Sequence, residues 1–211
     1  MKLDTIRRHY ESHSISQADL DADPLVEFGK WLQQAIDLKL LDATAMTLAT
    51  ATDTGIPSAR VVLLKGYDGD GFCWYSDTRS QKGRELAANP WAALLFYWRD
   101  LNRQIRVQGR VDHLSAEQAR RYFDSRPIGS RFSAASSCQS APVASRAVLE
   151  TRVRQLRERY TDGNVPKPKA WTGYHLKPVY FEFWQGQVNR LHDRIVYQAD
   201  GDAWLKSRLS P

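Results

Sequence analysis

Gln104-Ile105-Arg106-Val107-Gln108-Gly109-Arg110-Val111-Asp112 is the stretch on which the fold turns. Ile105, Val107 and Val111 are apolar, and Gln104, Arg106, Gln108, Arg110 and Asp112 are polar. A period of two over that length predicts a half-buried strand. Just before it, Trp91-Ala-Ala-Leu-Leu-Phe-Tyr-Trp98 is an unbroken apolar run that reads as a buried strand. Toward the N-terminus, Met46 to Ala51 leads into the turn Asp53-Thr54-Gly55-Ile56-Pro57, and Ala59 to Lys65 follows. A second turn, Gly66-Tyr67-Asp68-Gly69-Asp70-Gly71, precedes Phe72 to Ser76. Toward the C-terminus, Val179 to Trp184 and Arg194 to Gln198 are strand-like. Asp200-Gly201-Asp202 then turns into a last strand, Ala203 to about Ser207.

Helices are fewer. Asp23 before Pro24 is a capping carboxylate followed by Pro in the first turn, and Leu25, Phe28, Leu32, Ala35 and Ile36 recur at helical spacing. A short helix ends near Asn89-Pro90, and Ser115-Ala-Glu-Gln118 forms a capping box that opens a helix through Phe123. A Ser-rich loop is expected from about Ser125 to Pro142, then an amphipathic helix to about Tyr160. Strands do not alternate with crossover helices, so a doubly wound α/β sheet is not expected. A mainly β (α+β) chain is, with an antiparallel barrel and peripheral helices.

With 211 residues, 42% hydrophobic and 26% charged, the chain suits one globular domain. No apolar run approaches the roughly 20 residues of a membrane helix, and Met1 to Tyr10 has no apolar core of a secretory signal. Cys73 and Cys138 are too few for a disulfide framework and lack metal-ligand spacing, so no metal is expected and the cytoplasm fits best. A net charge of +6 points to anionic partners. The basic residues are scattered apart from Arg146 to Arg159, which has the spacing of a solvated helix face. Small phosphates are therefore preferred to nucleic acid.

Four segments can carry chemistry, each with a plainer reading beside it. Arg60-Val61-Val62-Leu63-Leu64-Lys65 is a strand bracketed by cations, although charges on an edge strand often only deter aggregation. Residues 60 and 65 differ by an odd number, so a regular strand sends them to opposite faces, and a bulge is needed for them to share one phosphate. Tyr75-Ser76-Asp77-Thr78-Arg79-Ser80-Gln81-Lys82 ends a strand and starts a helix, where backbone N–H groups and Lys82 suit a phosphate; plain capping by Asp77 or Thr78 is the alternative. Tyr122, Arg126 and Ser130 surround a Pro-Ile-Gly turn that either collects a phosphate or is a surface turn. Arg190-Leu191-His192-Asp193-Arg194, past the aromatic Phe183-Trp184, suits a flat anionic ring, or else His192 is a surface residue paired with Asp193. No Walker loop, dinucleotide fingerprint or Gly-x-Ser-x-Gly elbow is present.

Together these segments resemble the pyridoxamine 5′-phosphate oxidase family over nearly the whole chain. The resemblance rests on Arg60 to Lys65, Ser125-Arg126-Pro127, Gln139-Ser140, Glu182-Phe-Trp-Gln-Gly186, Arg190 to Arg194 and the ending Arg208-Leu-Ser-Pro211. It implies an FMN-binding split β-barrel, residues 23–211, that forms a homodimer with FMN at the subunit interface. It also implies oxidation of pyridoxine 5′-phosphate or pyridoxamine 5′-phosphate to pyridoxal 5′-phosphate by O2, with no nucleic-acid or membrane partner. By motif position the flavin contacts are Arg60, Val61, Val62, Leu63, Leu64, Lys65, Tyr75, Ser76, Gln81, Lys82, Gln104, Gln139, Ser140, Trp184 and Arg194. Lys65, Tyr122, Arg126 and Ser130 correspond to the substrate-phosphate grip, and Arg190 and His192 to contacts with the reacting ring. Arg7, Arg8, His9 and Tyr10 correspond to a mobile segment, within residues 1–22, that folds over substrate. One departure stands out: Gln81 takes a position where many members carry Arg, which removes a cation from the FMN phosphate site. Related phenazine-biosynthesis oxidases and a non-catalytic flavin-binding module are the competing expectations.

Overall fold

The computed structural model describes Leu3, Thr5, Tyr10 and residues 12–211; Arg7, Arg8 and His9 lie outside the described residues. In chain order the elements are α1 (Pro24–Asp37), β1 (Ala45–Ala51), β2 (Pro57–Leu63), β3 (Gly66–Asp68), β4 (Gly71–Asp77), α2 (Gln81–Ala88), β5 (Trp91–Trp98) and β6 (Arg103–His113). After these come α3 (Ala116–Ser125), α4 (Ile128–Ser136), α5 (Arg146–Arg159), β7 (Trp171–Gln185), β8 (Asp193–Asp200) and β9 (Ala203–Arg208). All pairings are antiparallel, in the order β2-β1-β5-β6-β7-β4-β3, with β8 added on β7 and β9 on β8.

Two features curl this sheet into a split barrel. The first is a change of partner within the chain itself. Leu64 donates its backbone N–H to Thr44 on the β1 side, and the next residue, Lys65, donates to Cys73 in β4. The segment between β2 and β3 therefore steps from one end of the sheet to the other and joins them. The second is the long strand β7, which pairs with β4 through residues 171–176 and with β8 through residues 180–185. The sheet divides around Pro178, which has no N–H to offer a ladder. On the other side of β7 the register with β6 shifts between Gln108 and Gly109. Gly109 is required there, because a Cβ would lie 2.0 Å from the Lys177 carbonyl oxygen.

The alternating stretch behaves as its pattern demands. Ile105, Val107 and Val111 are buried, facing a core that includes Leu48, Leu94, Phe96, Leu176 and Phe181. Helix α1 covers this core. Asp23 accepts from the Leu25 N–H as its cap, and Phe28 packs edge-on against Tyr67, Phe72 and Phe96 with centroids 5.1, 4.8 and 5.0 Å away. The C-terminal Arg208 ties the ends together: it pairs with Asp193 at 2.5 Å and donates to the Ile15 carbonyl at 2.6 Å.

Three expectations need correction. The Ser-rich stretch is not all loop, since α4 occupies Ile128–Ser136. Its Ser133 and Ser136 hydroxyls bond back to the carbonyls of Gly129 and Ser133, so the serines join the helix instead of forming turns. Gly66 to Gly71 is not all turn, because residues 66–68 pair with β4. The strand expected from Val179 begins at Trp171, because Pro178 falls where the sheet divides and so does not end β7.

Candidate active site

A cavity of about 320 Å³ follows the free edge of β2 and is lined by Arg60, Val61, Val62, Leu63, Lys65, Tyr75, Ser76, Lys82, Tyr122, Arg126, Gln139 and Trp171. Strand parity separates the side chains of β2 as expected: Arg60 and Val62 are half-buried, Val61 and Leu63 exposed. Lys65 nevertheless lines the same cavity as Arg60, because the strand ends at Leu63 and the step from β1 to β4 returns it. The expected separation of these two cations thus gives way to a change of partner strand.

One wall is a polar cradle. Lys82 Nζ lies 3.1 Å from Ser76 Oγ and 3.2 Å from Gln139 Oε1, and Ser76 Oγ donates to Gln139 Oε1 at 3.1 Å. Burial, and then the neighbouring Arg60 guanidinium, hold Lys82 below its ordinary pKa. A phosphate placed there would reverse that shift by favouring the charged amine. Helix α2 is capped by Ser80, which accepts from the Gly83 N–H, rather than by Asp77 or Thr78. The Gln81 N–H donates to Ser140 Oγ at 3.1 Å, clasping the 139–140 loop to the start of α2. Arg79 offsets the Asp77 charge through two side-chain bonds of 3.0 and 2.7 Å.

The opposite chemistry is aromatic. Tyr75 and Tyr122 stack at 3.9 Å, Tyr75 and Trp171 at 5.3 Å, and Arg126 lies 5.1 Å above the Trp171 ring. Burial raises the Tyr75 and Tyr122 hydroxyls and lowers the Arg126 guanidinium from their ordinary values. Arg126 Nη1 is buried without a hydrogen-bond partner among the described residues. A buried cationic nitrogen of this kind is costly unless an acceptor completes it. The donors present therefore fit a phosphorylated ligand such as FMN or a phosphorylated substrate. A wider cleft of about 790 Å³ shares Arg126, Gln139 and Trp171 and continues between α4 and α5.

The remaining expected contacts fall elsewhere in one chain. Leu64 belongs to the hydrophobic core, and Ser130 sits in the first turn of α4 with its N–H on the Pro127 carbonyl. Gln81 donates its amide to Glu85 Oε1 at 2.9 Å and lies outside this cavity. Gln104, Trp184 and Arg194 are aligned across β6, β7 and β8. Arg194 grips the buried Glu182 through bonds of 2.7 and 3.1 Å, and Arg106 shares that carboxylate. Beside them Tyr10, Trp184 and His192 form a cluster with centroids 4.7 to 5.7 Å apart, and Arg190 lies 5.8 Å over Tyr10. His192 is not paired with Asp193, which is engaged by Arg208, Ser14, Ile15 and Gln187. Instead, His192 Nδ1 accepts the Gln187 N–H at 3.0 Å, which leaves the proton of the neutral ring on Nε2. Burial and Arg190 lower its pKa. Glu85 and Trp171 were not foreseen; neither sits in a recognisable motif.

Residues 32–160 match the family model described as pyridoxamine 5′-phosphate oxidase, and residues 171–211 match the pyridoxine 5′-phosphate oxidase C-terminal dimerisation region. The chain belongs to the pyridoxamine 5′-phosphate oxidase family. It is 47% identical over 211 residues to a pyridoxine/pyridoxamine 5′-phosphate oxidase of Cyanothece sp., covering 100% of this chain and 99% of the relative. To the enzyme of that name from Burkholderia lata it is 50% identical over 212 residues, covering 99% of each. Among solved structures, PhzG from Burkholderia lata 383, in complex with tetrahydrophenazine-1-carboxylic acid, superposes with a TM-score of 0.89 at 29% identity, over 95% of this chain and 99% of PhzG. A pyridoxamine 5′-phosphate oxidase-related, FMN-binding protein from Nostoc punctiforme shares the fold at a TM-score of 0.69 and 17% identity, over 87% of this chain and 96% of that one. These matches make the barrel that of the pyridoxamine 5′-phosphate oxidase family, the FMN-binding split β-barrel. Among the described residues of this family member, no helix is long and apolar enough to cross a membrane, and no group of His, Cys, Asp and Glu could hold a metal ion.

Proposed function

We propose that the chain is an FMN-dependent oxidase. It would convert pyridoxine 5′-phosphate or pyridoxamine 5′-phosphate to pyridoxal 5′-phosphate with O2 as acceptor, releasing hydrogen peroxide, and ammonia from the amine. The observation that carries this reading is the joint lining of one cavity by Lys65, Tyr122 and Arg126 together with Arg60, Ser76, Lys82 and Gln139. Two sets of anion-binding groups side by side suit a phosphorylated cofactor next to a phosphorylated substrate. Bound FMN would supply the hydride acceptor and the reaction with oxygen.

The protein's part is binding and alignment. Lys82, Ser76, Gln139 and Arg60 would hold the flavin phosphate, while Lys65, Tyr122 and Arg126 would grip the substrate phosphate; Ser130, at the start of α4, is not among the residues lining this cavity. Energy from that remote grip would fix the reacting carbon against the flavin. Arg190 would lie over the substrate ring, and His192, with its proton on Nε2, would donate to the ring's polar edge. At about 320 Å³ the cavity is at the small end of ligand sites, enough for phosphorylated ends but not for two whole ligands. A second copy of the chain would complete it. Register supports this: Val61 and Leu63, both exposed, share a sheet face with Tyr97, Gln104, Trp184 and Arg194. In a homodimer that face would bring the Tyr10, Trp184, Arg190 and His192 cluster of one copy toward the cavity of the other. The free Cys73 and Cys138 suit the reducing cytoplasm.

A second reading is favoured by the PhzG likeness, an oxidase acting on a reduced phenazine carboxylic acid. Such a substrate has no phosphate to use Lys65, Tyr122 and Arg126, and the identity to PhzG is 29% against 47–50% for the relatives named as B6 phosphate oxidases. The test is to mix FMN-loaded protein with pyridoxine 5′-phosphate under anaerobic conditions and follow the flavin absorbance. Bleaching supports the B6 phosphate reading. An unchanged spectrum refutes it, and bleaching by tetrahydrophenazine-1-carboxylic acid alone supports the second.

A further inference from the structure

Behind the cavity wall lies a buried carboxylate with no part in the roles above. Glu85, on α2, is 7% exposed. Its Oε2 accepts from the Thr50 hydroxyl and from Ser58 Oγ at 2.6 Å, and lies 3.4 Å from Arg60 Nη2. Its Oε1 accepts from Gln81 Nε2 at 2.9 Å. Burial pushes this carboxyl up, but the bonds from Ser58, Thr50 and Gln81 and the Arg60 charge outweigh it and hold the pKa at about 2. The group is therefore ionised throughout the working range.

Arg60 is the other half of the arrangement. Its Nη1 donates to the Leu48 carbonyl at 3.3 Å and to Thr50 Oγ1 at 2.5 Å, while Nη2 donates to Ser58 Oγ at 2.5 Å and to Glu85. Both terminal nitrogens are thus engaged by groups that do not line the cavity Arg60 lines. A phosphate that takes a bond from either must compete with these acceptors. Glu85 also balances charge, since Arg60 and Lys82 repel each other and Glu85 attracts both. Gln81 strengthens the berth, because its amide turns to Glu85 and adds no cation.

We infer that Glu85 is a positioning residue that draws Arg60 back from the cavity and so sets how strongly the site prefers a phosphorylated flavin over its unphosphorylated form. The inference rests on the reading of the cavity as the FMN phosphate site. Removing the carboxylate charge frees Arg60 and raises the local charge by one. Affinity for FMN should then increase while affinity for riboflavin, which lacks the phosphate, stays put.

The experiment titrates FMN and riboflavin separately into the full-length apoprotein, following flavin fluorescence, for wild type and Glu85→Gln. The expected result is FMN binding tighter by about tenfold, the size of one charge-assisted hydrogen bond, with riboflavin changed by less than about threefold. The steeper salt dependence of a more cationic site should accompany it. A packing role alone would weaken both flavins together, so an unchanged or reduced FMN-to-riboflavin ratio overturns the inference. If Glu85→Gln does not fold, Glu85→Ala gives a second route: it removes the same charge without adding a cation and should raise the same ratio. A ratio that does not rise there also overturns it. Wild-type protein that binds FMN no better than riboflavin would instead refute the phosphate-site reading.

Discussion

Replacing Arg126 by Met separates substrate recognition from fold more cleanly than any other single change in the cavity. Among the described residues Arg126 makes no ion pair, and its Nη1 is buried without a partner. Its evident contact with the protein is with the face of Trp171, 5.1 Å away. An unbranched Met stem keeps most of that packing, so the stability change should stay within the ~2 kcal/mol of a partly desolvated cation–π contact. Loss of a buried, uncompleted charge offsets part of even that. Substrate binding should respond very differently. One charge-assisted bond to the substrate phosphate is worth ~1.5–3 kcal/mol, and each 1.4 kcal/mol is tenfold in an equilibrium constant. The variant should therefore raise KM for pyridoxine 5′-phosphate by ~10- to 150-fold. The control is pyridoxine itself, which has no phosphate and should be oxidised with the same poor kcat/KM by both proteins. Steady-state peroxide release with the two substrates, beside thermal melts of the FMN-loaded proteins, measures all three quantities. Equal losses on both substrates would refute the assignment, because they would mean that Arg126 supports the site's shape and not the phosphate.

Three further outcomes test the architecture. Gly109→Ala should destabilise the protein by ~1–3 kcal/mol or prevent folding, since the added Cβ meets the Lys177 carbonyl where the sheet divides; chemical denaturation checks it, and wild-type stability would refute that close approach. Phe28→Ala should cost ~3–5 kcal/mol, because this fully buried ring is the contact of α1 with Tyr67, Phe72 and Phe96, and denaturation midpoints report it. Asp193 should give an acid signature. Burial raises its carboxyl, but Arg208, Ile15 and Ser14 more than offset this and hold it below the ordinary 3.8. A carboxylate depressed in the folded state contributes stability that is complete above the unfolded value and is lost as pH falls through the folded one. Asp193→Asn should therefore be less stable at neutral pH by ~1–3 kcal/mol and lose less of its remaining stability below about pH 4, as melts across pH 2–7 would show.

How much of this was legible in the sequence depended on whether the deciding partner was near in the chain. The alternation from Gln104 to Asp112 was readable because one face of β6 meets the core and the other does not, and that contrast is written residue by residue. Trp171 to Lys177 was not, because Pro178 looks like a strand end unless one knows that β7 changes partners there. The same holds for Lys65. Parity alone sent it away from Arg60, and only the step of consecutive N–H groups from Thr44 to Cys73 brings both to one cavity. Within the site, Lys65, Tyr122 and Arg126 sit in recognisable motifs, whereas Glu85 looks like any acidic residue on a short helix. Its meaning comes from Thr50 and Ser58, 35 and 27 residues away on the β1–β2 hairpin. Gln81 joins the two levels. From the sequence it reads as a missing cation at a phosphate site, which either weakens flavin binding or leaves the charge to Lys82 and Arg60. Its amide on Glu85 changes that argument, because the charge felt by a ligand is the sum of Arg60 and Lys82 less what Glu85 withholds. The substitution therefore bears on where the Arg60 charge is held as much as on how many cations the site contains.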